Sequence, residues 1–136
     1  MMTNENFYSI RCQLYNHRGG GFVIEIKEKD NEFLLYAQAG GNNPSRERVS
    51  TGHIDFNAPF DTLKLEKPDV ERIISKAHDI NVPLLPPITG GFDGVDYRIW
   101  ISNGMSIVHV SWWMDCPPEW KKIHELWELI VEMKDN

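Results

Sequence analysis

The stretch DGVDYRIWISNGMSIVHVSWW, residues 93–113, decides how this chain is read. Val95, Tyr97, Ile99 and Ile101 fall on one side of an extended segment, and Asp96, Arg98, Trp100 and Ser102 on the other, the period-two pattern of a strand. Asn103-Gly104 interrupts the pattern, and this dipeptide favours a two-residue type I′ turn. The return strand puts Ser106, Val108, Val110 and Trp112 on one side and Ile107, His109, Ser111 and Trp113 on the other. Neither side is purely polar, so the hairpin is expected to lie centrally in a sheet and to be covered, at least in part, on both faces. Trp112 and Trp113 are adjacent and must point to opposite faces. One is expected to pack on a helix layer with Trp120 or Trp127, and the other to face water together with Trp100.

Working outward, Tyr8, Ile10, Cys12 and Leu14 alternate with polar positions, and so do Phe22, Ile24 and Ile26. Phe33 to Ala37 is a third strand. The turns between them are Asn16 to Gly21, where glycines supply positive φ, and Lys29-Asp30-Asn31-Glu32. The first 38 residues therefore read as an antiparallel meander. Ala39 to Arg48 is the longest turn-forming stretch and reads as a loop. Val49 to Phe56 resumes an extended pattern, and Phe60 to Leu65 is a short extended approach to a helix.

That helix is expected over about 68–80. Pro68 opens it without losing a hydrogen bond, and Val70, Ile73, Ile74 and Ala77 make an apolar stripe. A second helix is expected over about 118–134, with Trp120, Ile123, Leu126, Trp127, Ile130 and Val131 inward and Glu119, Lys122, Glu125 and Glu128 outward. Asp115 is placed to cap its start. The order of elements predicts an α+β fold: an antiparallel sheet of about five to six strands with both helices packed on one face, forming a single domain over 1–136.

Composition narrows the function classes. The chain has 136 residues and a net charge of −6, from 20 acidic against 14 basic residues. This balance disfavours nucleic acid, whose phosphates are read by clustered Lys and Arg. No apolar run approaches the length of a membrane helix. Met1 to Phe7 is polar, and the two cysteines, Cys12 and Cys116, form no CxxC or Cys/His cluster. A cytoplasmic protein that binds neither nucleic acid nor membrane is expected.

Candidate chemistry is sparse. His17, His53, His78, His109 and His124 include no HExxH or short Cys/His spacing, so no metal and no cofactor is expected. Gly19-Gly20-Gly21 precedes a strand where a phosphate loop needs a helix, and reads as a hairpin turn. Cys116 stands near a helix start, where a thiolate would be favoured, but no histidine lies beside it in sequence and a structural role fits better. An enzyme would need a cleft that sets His53 or His109 beside a carboxylate such as Asp55 or Asp96.

The segment Asp93-Gly94-Val95-Asp96-Tyr97, followed by Trp112-Trp113, Pro117-Pro118-Glu119-Trp120 and Leu126, is similar to the C-terminal half of many small bacterial proteins. Several groups of these resemble immunity proteins of polymorphic toxin systems. The resemblance implies a small, often acidic domain that binds and neutralises a toxin; no functional residue carries over through it. The net charge of −6 favours a basic partner, and the lack of a catalytic constellation favours a non-enzyme. From the residues themselves, acidic side chains would steer such a partner and exposed aromatics would anchor it. The candidate contacts are Asp93, Asp96 and Trp100, with Asn43 and Glu47 in the loop from Gly40 to Glu47. Two alternatives stand beside this reading: a small hydrolase or nuclease with a His/Asp site, and a subunit of a homodimer.

Overall fold

The period-two segments become the strands of a six-stranded antiparallel sheet in the computed structural model, which describes residues 9–16, 20–40, 53–85 and 94–135. The strands are β1 (Ser9–Asn16), β2 (Gly21–Lys29), β3 (Glu32–Ala39), β4 (Asp61–Leu65), β5 (Val95–Asn103) and β6 (Ser106–Trp113). Helix α1 (Lys67–His78) follows β4, and a single 3-10 turn (Pro118–Trp120) leads into α2 (Lys121–Lys134). The spatial order is β4-β3-β2-β1-β5-β6, every neighbouring pair being antiparallel. This is the α+β arrangement expected, with both helices on one face.

That face is built from alternate residues of each strand. Ile10 and Cys12 of β1, Ile24 and Ile26 of β2, Phe33, Leu35 and Ala37 of β3, Leu65 of β4, Ile99 of β5 and Trp112 of β6 form one buried cluster. Val70, Ile73 and Ile74 of α1 and Ile123, Leu126, Trp127, Ile130 and Met133 of α2 close over it. Each large side chain removed from water here contributes about 1.5–3 kcal/mol.

The tryptophans divide as strand geometry requires. Trp112 is 1 % exposed beneath the helices. Its ring stacks on Tyr97 at 5.6 Å, and Tyr97 meets Trp127 edge-on at 5.0 Å. His124 of α2 lies edge-on to both Tyr97 and Trp112. Trp113 points to the opposite face and is half-buried.

Turn chemistry departs from expectation at one hairpin. Asp30 and Asn31, between β2 and β3, both have positive φ, 54° and 65°, as a type I′ turn demands. At the tip of β5–β6, Asn103 pairs with Ser106, so the two-residue loop is Gly104-Met105 rather than Asn103-Gly104. Only Gly104 there has positive φ, 78°, the requirement of a type II′ turn. Gly21, at the start of β2, has φ +100° and a Cβ there would lie 2.1 Å from the Leu14 carbonyl oxygen, so glycine is obligatory.

Three further expectations change. The hairpin is not wholly central: β5 is interior, but β6 is the sheet edge, and it is exposed from Ser106 to His109. Residues 53–60 form turns and irregular chain rather than a strand. Asp115 caps nothing; the 3-10 turn starts from Pro117 and α2 from Trp120, neither with a side-chain cap. The proline pair at 117–118 fixes the backbone there, so no side-chain acceptor is needed to begin the turn. Among the described residues no helix is long and apolar enough to cross a membrane.

Candidate functional site

Shifting by one residue along each strand gives the face that the helices leave uncovered. The register lines up Thr62, Tyr36, Glu25, Arg11, Trp100 and His109 as one row across all six strands. Directly opposed residues on neighbouring strands lie close enough to interact, and from Glu25 through Arg11 and Trp100 to His109 this row does so. Arg11 is 6 % and Glu25 1 % exposed, which is unusual for ionised groups.

Burial is tolerable because the charges are paired. Glu25 takes the backbone N–H of Ile54 on one oxygen, at 3.3 Å. Its other oxygen lies 3.2 Å from His53 Nδ1 and 3.5 Å from Lys27 Nζ. Arg11 donates from Nη1 to His53 Nε2 at 2.8 Å. An arginine can only donate, so Nε2 is the acceptor and Nδ1 carries the hydrogen that reaches Glu25. His53 thereby bridges an arginine and a glutamate, with both ring nitrogens engaged. Burial pulls the Arg11 guanidinium below its ordinary value, and Glu25 pushes it back. Its Nε is buried without a hydrogen-bond partner among the described residues.

Stacking continues the row. Arg11 lies over the Trp100 ring at 5.2 Å, and Trp100 stacks on His109 with centroids 4.5 Å apart and planes within 5°. Burial first, then the positive charges of Arg98 and Arg11, lowers the pKa of His109. The residue as a whole is exposed, but the ring face stacked on Trp100 is desolvated, and this favours the neutral imidazole. Arg98 sits over Tyr15 and pairs with Asp96 at 3.4 Å.

The candidate contacts thus fall in different situations. Trp100 is on the expected face but is only 8 % exposed, because Arg11 and His109 sandwich it. Asp96 is half-buried and engaged by Arg98. Asp93, Asn43 and Glu47 lie outside the described residues, as does His17. His53 meets a carboxylate, but it is Glu25 rather than Asp55; Asp55 instead accepts the N–H of Asn57 and is bracketed by Gln38. Glu25 is invisible as a partner in sequence, because only the β1–β2 register sets it beside Arg11.

Neither cysteine is activated. Burial raises the Cys12 thiol far above its ordinary value, and burial with Glu128 pushes Cys116 up to about 11. Both are free thiols. Among the described residues no group of three or more His, Cys, Asp or Glu side chains gathers as a metal site would need.

A second surface lies on the outer side of the helix layer. An open groove runs between α1 and α2, lined by Glu71, Arg72, Ser75, Lys76, His78 and Asp79 from the first helix and its end. Glu125, Glu128, Leu129 and Glu132 line it from the second, at i, i+3, i+4 and i+7, so one stripe of α2 carries three carboxylates. The lining holds five acidic side chains against Arg72 and Lys76, an excess of three negative charges. Lys122 Nζ bridges the helices at one end, 3.0 Å from Asp79 Oδ2. Glu71, Glu125 and Glu132 make no side-chain hydrogen bond or ion pair among the described residues. Glu132 was not singled out by sequence periodicity; its signal is the spacing from Glu125 and Glu128.

No family model, curated protein or solved structure matches this chain.

Proposed function

We propose that this chain is a protein-binding domain of the immunity type, which captures and neutralises a basic toxin domain through the groove between its helices. The observation that carries the reading is the set of unpaired carboxylates on that groove. The groove lining supplies half of the excess negative charge of a chain whose net charge is −6. Glu128 and Glu132 stand at i, i+4, a like-charge spacing that weakens an isolated helix by about 0.2–0.5 kcal/mol. A domain selected for stability alone would alternate the signs. Clustered negative charge instead accelerates encounter with a positive partner and rejects acidic ones.

The test is a pull-down from the native host with wild type and with Glu125→Lys/Glu132→Lys. Wild type is expected to retain a stoichiometric basic protein that arrests growth when expressed alone and is silenced by co-expression. The reversed variant should lose it while remaining folded. Recovery of no partner, or equal retention by the variant, overturns the reading.

A second reading, a small hydrolase or nuclease, has one observation in its favour: the His53–Glu25 contact beside Arg11. A general base in this arrangement would have to exchange Arg11 for a water at Nε2. Hydrolytic activity abolished by His53→Ala in a folded protein would establish it in place of the binding role.

A further inference from the structure

The two edges of the sheet are built differently. β4 is five residues long and carries Asp61 and Lys64, the short, charged edge that resists pairing with another chain. β6 is eight residues long, and from Ser106 to Trp113 it contains no Asp, Glu, Lys, Arg or Pro. Among the described residues β6 has neither charge nor proline to protect it. At its first half the helix layer gives no cover, so Ile107 and Val108 are 58 % and 62 % exposed on opposite faces, beside a fully exposed Met105. A long neutral edge with apolar side chains on both faces is a template for strand addition.

We infer that two copies of this chain pair through β6, antiparallel about a two-fold axis near Val108, so that one sheet runs continuously through both. Charge confines a second copy to this edge. Two chains of net charge −6 repel over most of their surfaces, and groove against groove would set carboxylates against carboxylates. Along β6 there is no Asp, Glu, Lys or Arg to oppose, and at the one titratable group, His109, stacking on Trp100 and the nearby arginines favour the neutral form.

Register supports it as well. Keeping both helix layers on the same side requires residues of like parity to face each other across the axis. Val108 then meets Val108 of the second copy, Ser106 meets Val110, and Ile107 meets His109, so no charged pair arises. Such a contact is isologous and closes at two, whereas β6 on the short charged β4 of a second copy would propagate without limit. An edge contact buries area near the lower limit for stable association, about 1,000 Å². A weak pairing, with a dissociation constant on the order of micromolar, is expected. No groove residue belongs to β6, so this inference stands or falls apart from the proposed function.

The experiment is sedimentation equilibrium on the whole chain from about 1 to about 200 µM, the range that brackets a micromolar constant, with wild type, Ile107→Lys and Val108→Lys. Wild type is expected to move from 15.8 kDa toward twice that mass, and both exposed-edge variants to stay at chain mass with unchanged circular dichroism. Backbone amides of β6 should exchange more slowly in concentrated wild type than in either variant. Three results overturn the inference: a wild type that stays at chain mass throughout, a dimer that persists in both lysine variants, or a series of masses beyond two.

Discussion

On the helix-covered face of the sheet, Ile10, Ile24, Ile26 and Ile99 ask only for volume to be filled, whereas one residue away Arg11, Glu25 and Trp100 ask for particular partners at particular distances. Both faces remove large side chains from water, and the physics of doing so is opposite. The first gains from burial that is indifferent to direction. The second must recover the desolvation of two charges through geometry, and gains little net stability when it succeeds. What the polar face secures is register: a slip of one residue in β1 against β2 would put Arg11 among isoleucines and strand Glu25 without its partners.

The sharpest test of that contrast is to remove one large group from each side. Trp112→Ala, beneath the helices, is expected to cost about 3–5 kcal/mol in urea unfolding, the loss of a fully buried aromatic plus its cavity. A cost below about 1 kcal/mol would mean that the helices do not pack on β6 as described.

On the polar face, Glu25→Leu is expected to cost about 3 kcal/mol or more, because Arg11 remains buried with its charge uncompensated. The double variant Arg11→Leu/Glu25→Leu should recover most of that loss, a non-additivity measurable in a double-mutant cycle. If the two single costs simply add, the two residues are not coupled and the row across the strands has no energetic meaning.

The smallest expected effect concerns His109. Its folded-state pKa lies below the ordinary 6.5, through burial first and then Arg98 and Arg11. As pH falls below 6.5 the unfolded chain takes up a proton that the folded chain refuses, so stability drops until the folded value is passed. Above 6.5 the contribution is complete and flat. His109→Gln should therefore lose less stability than wild type as pH falls below about 6.5, with the carboxylates common to both proteins cancelling in the difference. Equal slopes in the two proteins would show that the imidazole titrates as it does in the unfolded chain.

Local pattern was enough for the elements. Alternation of Ile10, Cys12 and Leu14, or the i, i+3, i+4 spacing of Val70, Ile73 and Ile74, reports a face because strands and helices repeat every 2 and 3.6 residues regardless of what covers them. The same rule sent Trp112 and Trp113 to opposite sides, and the order of elements implied helices on one face of an antiparallel sheet. Two local rules were overridden. Asn103-Gly104 carries a strong turn preference, yet the loop is Gly104-Met105, because the pairing of Asn103 with Ser106 sets the register and only Gly104 needs positive φ. Asp115 has the chemistry of a cap but not the position.

What only the tertiary structure decided are the relations between strands distant in sequence. Nothing local says that β1 lies between β2 and β5, and this alone brings Arg11 beside both Glu25 and Trp100 and turns an exposed-looking tryptophan into a buried one. Nothing local says that β6 ends the sheet, since an edge strand and an interior strand share the same alternation. The groove likewise depends on two helices more than 40 residues apart meeting so that the carboxylate stripe of α2 faces α1. Periodicity is a property of one segment and is written in its residues; adjacency is a property of pairs, and only the closed fold assigns it.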